Sequence, residues 1–81
     1  MINSNYKIYP NPNFGQLIIE LENDSRQVEI EVTDVRGVRV FYQAAQQLAF
    51  KTINSSSWPS GTYFVKLKDA NQSVVQKIVK M

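Results

Sequence analysis

The chain contains no cysteine and no histidine. Without cysteine there is no disulfide framework and no thiolate nucleophile, and without either residue there is no Cys/His zinc site and no imidazole base. No apolar run approaches the ~20 residues that a membrane helix needs. A net charge of +2 is too small to imply a nucleic-acid partner. The sequence also lacks the 3.6-residue period of an amphipathic helix, an internal repeat and an internal linker. Residues 1–5, Met-Ile-Asn-Ser-Asn, lack the basic and apolar regions of a signal peptide. On that reading the chain either stays inside the cell or is a piece of a longer exported protein. Residues 1–5 read as a linker remnant ahead of a single domain spanning 6–81.

What is present is an ordinary globular composition. At 81 residues, 43% hydrophobic and 20% charged, the chain makes one domain with a modest core and little stability to spare. The charge is lopsided. Residues 1–35 carry Lys7 and Arg26 against Glu20, Glu22, Asp24, Glu29, Glu31 and Asp34, whereas residues 51–81 carry five lysines against Asp69 alone. Two readings follow. Acidic and basic strands are neighbours whose surface charges coexist, or the basic final strands are a docking surface for an anionic partner.

The dominant period is two. In Gln27-Val28-Glu29-Ile30-Glu31-Val32-Thr33, the aliphatic residues alternate with polar ones, as in a strand with one buried face. Asp34-Val35-Arg36-Gly37 then reads as a type I turn with Gly37 left-handed, closing a three-residue hairpin loop. That loop predicts Val32 opposite Val40 and Ile30 opposite Tyr42, all on one face. A two-residue loop would put Val32 opposite Phe41 and expose Val38, Val40 and Tyr42. Further strands are expected at Tyr6–Tyr9, Gln16–Leu21, 47–53, 62–68 and 74–80. Pro10 and Pro12 cannot donate to a ladder, so the first strand ends there or lies at an edge. Seven short strands separated by turn signals predict an all-β fold, an immunoglobulin-like two-sheet antiparallel β-sandwich.

Few residues invite a chemical reading. Tyr63, just after the turn Trp58-Pro59-Ser60-Gly61, suits a tyrosine corner, with Trp58 plugging one end of the core. The functional alternative is a sugar platform of Trp58, Tyr63 and Phe64, as in an adhesion or carbohydrate-binding module. Glu29 and Glu31 lie about 7 Å apart on one strand face, a spacing glycosidases use. They share one exposed face, and so lack the unequal environments that acid–base work requires. Asn23, Asp24 and Asp69 do not recur at calcium-loop spacing. Asn23-Asp24-Ser25, Asn54-Ser55-Ser56 and Asn71-Gln72-Ser73 fit the N-glycosylation pattern, as turn sequences often do. No catalytic, metal or cofactor site is expected. The last strand, with Lys77 and Lys80 blunting its edge, is the natural handle for a receptor.

In order, the segments Tyr9-Pro10-Asn11-Pro12 with Gly15, Asp34-Val35-Arg36-Gly37-Val38-Arg39-Val40, Ser60-Gly61-Thr62-Tyr63-Phe64-Val65-Lys66-Leu67 and Lys77-Ile78-Val79-Lys80 resemble the type A C-terminal sorting domain of the Bacteroidetes type IX (Por) secretion system. The resemblance spans about Tyr6 to Met81. It implies an immunoglobulin-type sandwich without catalysis or cofactor, carried at the end of a secreted cargo. It also implies partners: an outer-membrane translocon, and a sortase-like peptidase that cleaves the domain and often joins the cargo to anionic lipopolysaccharide. The route runs through the periplasm to the cell surface. By position, Pro10, Asn11, Pro12 and Gly15 match the opening motif, Asp34 and Gly37 the hairpin, Gly61 and Tyr63 the late motif, and Lys77, Ile78, Val79 and Lys80 the terminal one. Trp58 stands where the family more often has an aliphatic residue, and Met81 extends past the usual terminal lysine.

Overall fold

The structure, a computed structural model, describes residues 6–21, 27–46, 50–69 and 73–81. The expected turns at 23–25 and 70–71, and the start of the fifth strand at 47–49, lie outside them. Seven strands form: β1 Tyr6–Tyr9, β2 Gln16–Leu21, β3 Gln27–Asp34, β4 Arg39–Gln46, β5 Phe50–Asn54, β6 Gly61–Lys68 and β7 Ser73–Lys80. They pair antiparallel in two sheets, ordered β1-β2-β5 and β4-β3-β6-β7. This is the two-layer sandwich that the alternating pattern requires, since each sheet has one apolar face to hide.

The alternation decides which side chains meet. Leu17, Ile19 and Leu21 of β2 face Val28, Ile30 and Val32 of β3 and Val65 and Leu67 of β6 across one core, all fully or almost fully buried. Each such aliphatic side chain contributes about 1.5–3 kcal/mol. The intervening residues of β3 and β6 make the outer face. There Glu29 lies opposite Lys68 and Glu31 opposite Lys66. The acidic early strand and the basic late strand are therefore direct neighbours, and two of the lysines are matched by two of the acids within the sheet.

The central hairpin corrects one expected register. The turn itself is as expected. Gly37 N–H donates to Asp34 O at 3.0 Å, Asp34 N–H donates to Val38 O at 2.9 Å, and Gly37 has φ +85°. A second irregularity follows at once. Thr33 pairs with Arg39, but Val32 pairs with Phe41 and Ile30 with Gln43, so a bulge at Val40 shifts every later pair by one. Val32 does not face Val40, nor Ile30 Tyr42. The bulge sets two residues of β4 against one step of β3, which lets both Val40 and Phe41 pack on the core. Val38 and Tyr42 are left exposed.

Candidate functional site

Three loops and one strand end meet at one pole of the sandwich. Asn11-Pro12-Asn13 lies along the outer edge of β7 in a parallel bridge with Lys80. Asn13 N–H donates to Val79 O at 2.8 Å, and Met81 N–H donates to Asn13 O at 2.9 Å. Asn11 Oδ1 accepts from Val79 N–H at 2.9 Å. The opening and terminal motifs, far apart in sequence, are thus one structural unit.

Asn13 is the keystone. Its side chain is fully buried, with Nδ2 donating to Val79 O at 3.1 Å and Oδ1 accepting from the buried Ser55 hydroxyl at 2.6 Å. Ser55 N–H in turn donates to Gly15 O at 2.9 Å. A buried amide held on both sides avoids the cost of an unmet polar group. Gly15 has φ +148°, a backbone conformation that residues with a side chain rarely adopt, so the turn favours glycine.

The late motif closes the same pole. Tyr63 is buried, and its hydroxyl donates to Pro59 O at 2.6 Å, which is the corner geometry expected from the sequence. Its ring lies 5.0 Å from that of Trp58, tilted by 40°. Tyr63 faces inward and Phe64 faces the opposite side of β6, so Trp58, Tyr63 and Phe64 do not share a sugar platform.

Gly61 pairs with Lys80, and Ile78, in the core, pairs with Tyr63. Asp34 also lies opposite Tyr63, on the other side of β6, which brings the hairpin turn to this end. Asp34 Oδ2 holds the Arg36 guanidinium at 2.8 Å, and Oδ1 accepts from the Arg36 and Val38 N–H groups at 2.9 and 3.0 Å. The Arg36 side chain, above all, holds the Asp34 carboxyl below its usual range; burial opposes it, and the Val38 and Arg36 N–H groups add to the lowering.

The lysines of the terminal motif separate. Lys77 projects from the outer face, but Lys80 is only 7% exposed. Its Nζ donates to the carbonyls of Trp58 at 3.1 Å and Met81 at 3.2 Å. Lys80 was expected to blunt the strand's edge. Alternation along β7 instead turns it to the same side as Ile78, where its stem packs and its ammonium finds carbonyls.

The remaining candidates are surface features. Glu29 accepts from the Tyr42 hydroxyl at 3.1 Å, and Glu31 holds Arg39 Nε at 2.8 Å. With Lys66 and Lys68 they line an open hollow of about 220 Å³. The bond to Glu29 raises the Tyr42 phenol above its ordinary value. Asn54 Oδ1 accepts from Ser56 N–H and Oγ, and so shapes its own turn. No group of three metal-ligating side chains occurs among the described residues. Asn23, Asp24 and Asn71 lie outside them.

Sequence reasoning missed Asn13, Ser55 and Phe14. Asn13 and Ser55 read as turn formers in loops rich in such residues. The available signal was an asparagine held between Pro12 and Phe14-Gly15, where the backbone has little freedom. Phe14 is 74% exposed on the turn that Asn13 anchors.

An antiparallel two-sheet sandwich of this kind is an immunoglobulin-like fold. The fold matches the crystal structure of a DUF3244 family protein with an immunoglobulin-like β-sandwich fold from Bacteroides vulgatus. The TM-score is 0.84 at 17% identity, covering 95% of this chain and 84% of that one. No curated protein matches. Residues 7–81 match the family of secretion system C-terminal sorting domains, and the chain belongs to that family, the type IX sorting signals.

Proposed function

We propose that this domain is the address of a larger exported cargo, carried through the periplasm and read by the outer-membrane type IX translocon. A sortase-like peptidase then removes the domain and attaches the cargo at the cell surface. The motif residues build the fold, and recognition falls on the outward surface of β6 and β7. The observation that carries this reading is the division of the motifs by burial. Tyr63, Ile78 and Lys80 point inward, as does Asn13 inside the opening motif, whereas Lys66, Lys68, Val75 and Lys77 present themselves to a partner.

The test fuses the chain to a periplasmic reporter in a bacterium with this secretion system. The fusion should reach the surface. Lys66→Glu with Lys77→Glu should abolish delivery while the melting temperature of the isolated domain stays within a few degrees of the parent. Delivery that survives both reversals would count against the outward face. Deleting residues 77–81 is a poorer test, because it removes the Val79 and Lys80 contacts that close the pole.

A further inference from the structure

The four sheet edges are not equally protected. β1 has four residues and runs into Pro10 and Pro12, β4 is bulged at Val40, and β5 has five residues. β7 has eight, pairs with β6 from Ser73 to Lys80 without a register shift, and contains no proline. Natural edges are usually blunted by shortness, bulges, prolines or charge, and β7 has only Lys77 on its outward row.

The outward hydrogen-bonding groups of β7 can be read from its far end. Val79 gives both its N–H and its C=O to the Asn11–Asn13 segment, not to β6. The two-residue alternation of a ladder then turns the N–H and C=O of Ser73, Val75 and Lys77 to the same free side. Among the described residues, nothing pairs with that stretch. The Asn11–Asn13 segment already bonds this edge through a single isolated bridge, and its contacts stop where the free stretch begins.

Side chains specify what would continue it. Lys77 lies opposite Phe64 and has no acidic partner among the described residues, while Lys66 and Lys68 on β6 face Glu31 and Glu29 of β3. On the inner side Val74 and Gln76 are half-buried, and on the outer side Val75 is 58% exposed. A strand beside β7 therefore needs apolar residues inward and acidic residues outward. β3, in Val28-Glu29-Ile30-Glu31-Val32, supplies that same pattern on the other flank of β6.

We propose that β7 is a strand-addition site, and that the partner protein binds by laying an extended segment of alternating apolar and acidic residues along Ser73–Lys77. This deepens the sorting reading by naming the chemistry of the partner. Main-chain pairing supplies the attraction, and the acid opposite Lys77 sets register and charge preference.

The probe is a capped, fluorescein-labelled peptide with the sequence of residues 27–33, set against one with lysine in place of both glutamates. Anisotropy with the purified domain should show the acidic peptide binding about fivefold or more tighter. Val75→Pro removes an outward N–H that β6 does not use, so it should keep the fold and weaken binding at least about tenfold. Lys77→Glu should reverse the preference between the two peptides, and it decides the matter if Val75→Pro does not fold. Equal binding of both peptides, no binding of either, or full binding by a folded Val75→Pro domain would overturn the proposal. The two readings fail separately. Peptide binding without surface delivery of a fused cargo would sink the sorting role alone. Normal delivery by folded Val75→Pro would sink strand addition alone.

Discussion

Replacing Asn13 with alanine should be among the most damaging single changes in this domain, although the residue is small and carries no charge. The change removes the Nδ2 bond to Val79 O at 3.1 Å and the Ser55 bond to Oδ1 at 2.6 Å. Each lost bond is worth about 0.5–1.5 kcal/mol net, and a buried Ser55 hydroxyl left without its acceptor adds about 1–3 kcal/mol. Val79 O keeps its backbone bond from Asn13, which limits the loss on that side. The total is about 2–4 kcal/mol, against about 4–12 kcal/mol for a whole domain of this size. Urea unfolding followed by the fluorescence of Trp58, the only tryptophan, measures it directly. The companion change Ser55→Ala removes the orphaned hydroxyl, so the double variant should be less destabilised than the two single losses added together, by about 1 kcal/mol or more. An Asn13→Ala loss below about 0.5 kcal/mol, or strict additivity with Ser55→Ala, would refute the view of Asn13 as a buried polar clasp.

Lys80→Met keeps an apolar stem but leaves the Trp58 carbonyl without its ammonium, and should cost about 1–2 kcal/mol in the same assay, whereas Lys77→Met, on the surface, should stay within about 0.5 kcal/mol. Tyr63→Phe should cost about 0.5–1.5 kcal/mol by deleting the bond to Pro59 O, with the near-ultraviolet circular dichroism of Trp58 changed by the loosened corner. Gly37→Ala forces a side chain into φ +85° and should lower the urea midpoint by the equivalent of about 1–2 kcal/mol. The Asp34 carboxyl is held below its ordinary value, so its stabilisation is present above the unfolded value near about pH 4 and fades as pH falls through the lower folded one. Asp34→Asn should therefore flatten the acid limb of stability against pH, and an unchanged limb would count against the Arg36 pairing.

Much of the sandwich was legible because its strands state their own period. Val28, Ile30 and Val32 alternate without interruption, and the bounds of β1 and β2 follow from Pro10 and Gly15. The hairpin shows where such reading stops. Asp34 and Gly37 specify the turn, but nothing local in Arg39-Val40-Phe41 announces a bulge. It arises because the core accepts both Val40 and Phe41, a tertiary demand that no dipeptide carries. Lys80 is the parallel case at the pole. A lysine near the end of a strand reads as solvent-facing, and only the carbonyls of Trp58 and Met81, brought there by the fold, give it an inward partner. The opening and terminal motifs were visible separately. Their union was not, because it depends on a bridge between Asn13 and Lys80, residues that no local pattern relates.

That bridge makes the folded pole a report on whether the last strand is present and docked. Bonds from Asn11 and Asn13 to Val79 cross separations of 68 and 66 residues. A ribosome that stalls, or a protease that nicks the chain before Val79, yields a molecule whose first loop has nothing to fasten. A quality-control step sensitive to that loose loop would distinguish molecules that keep Val79 from those that have lost it.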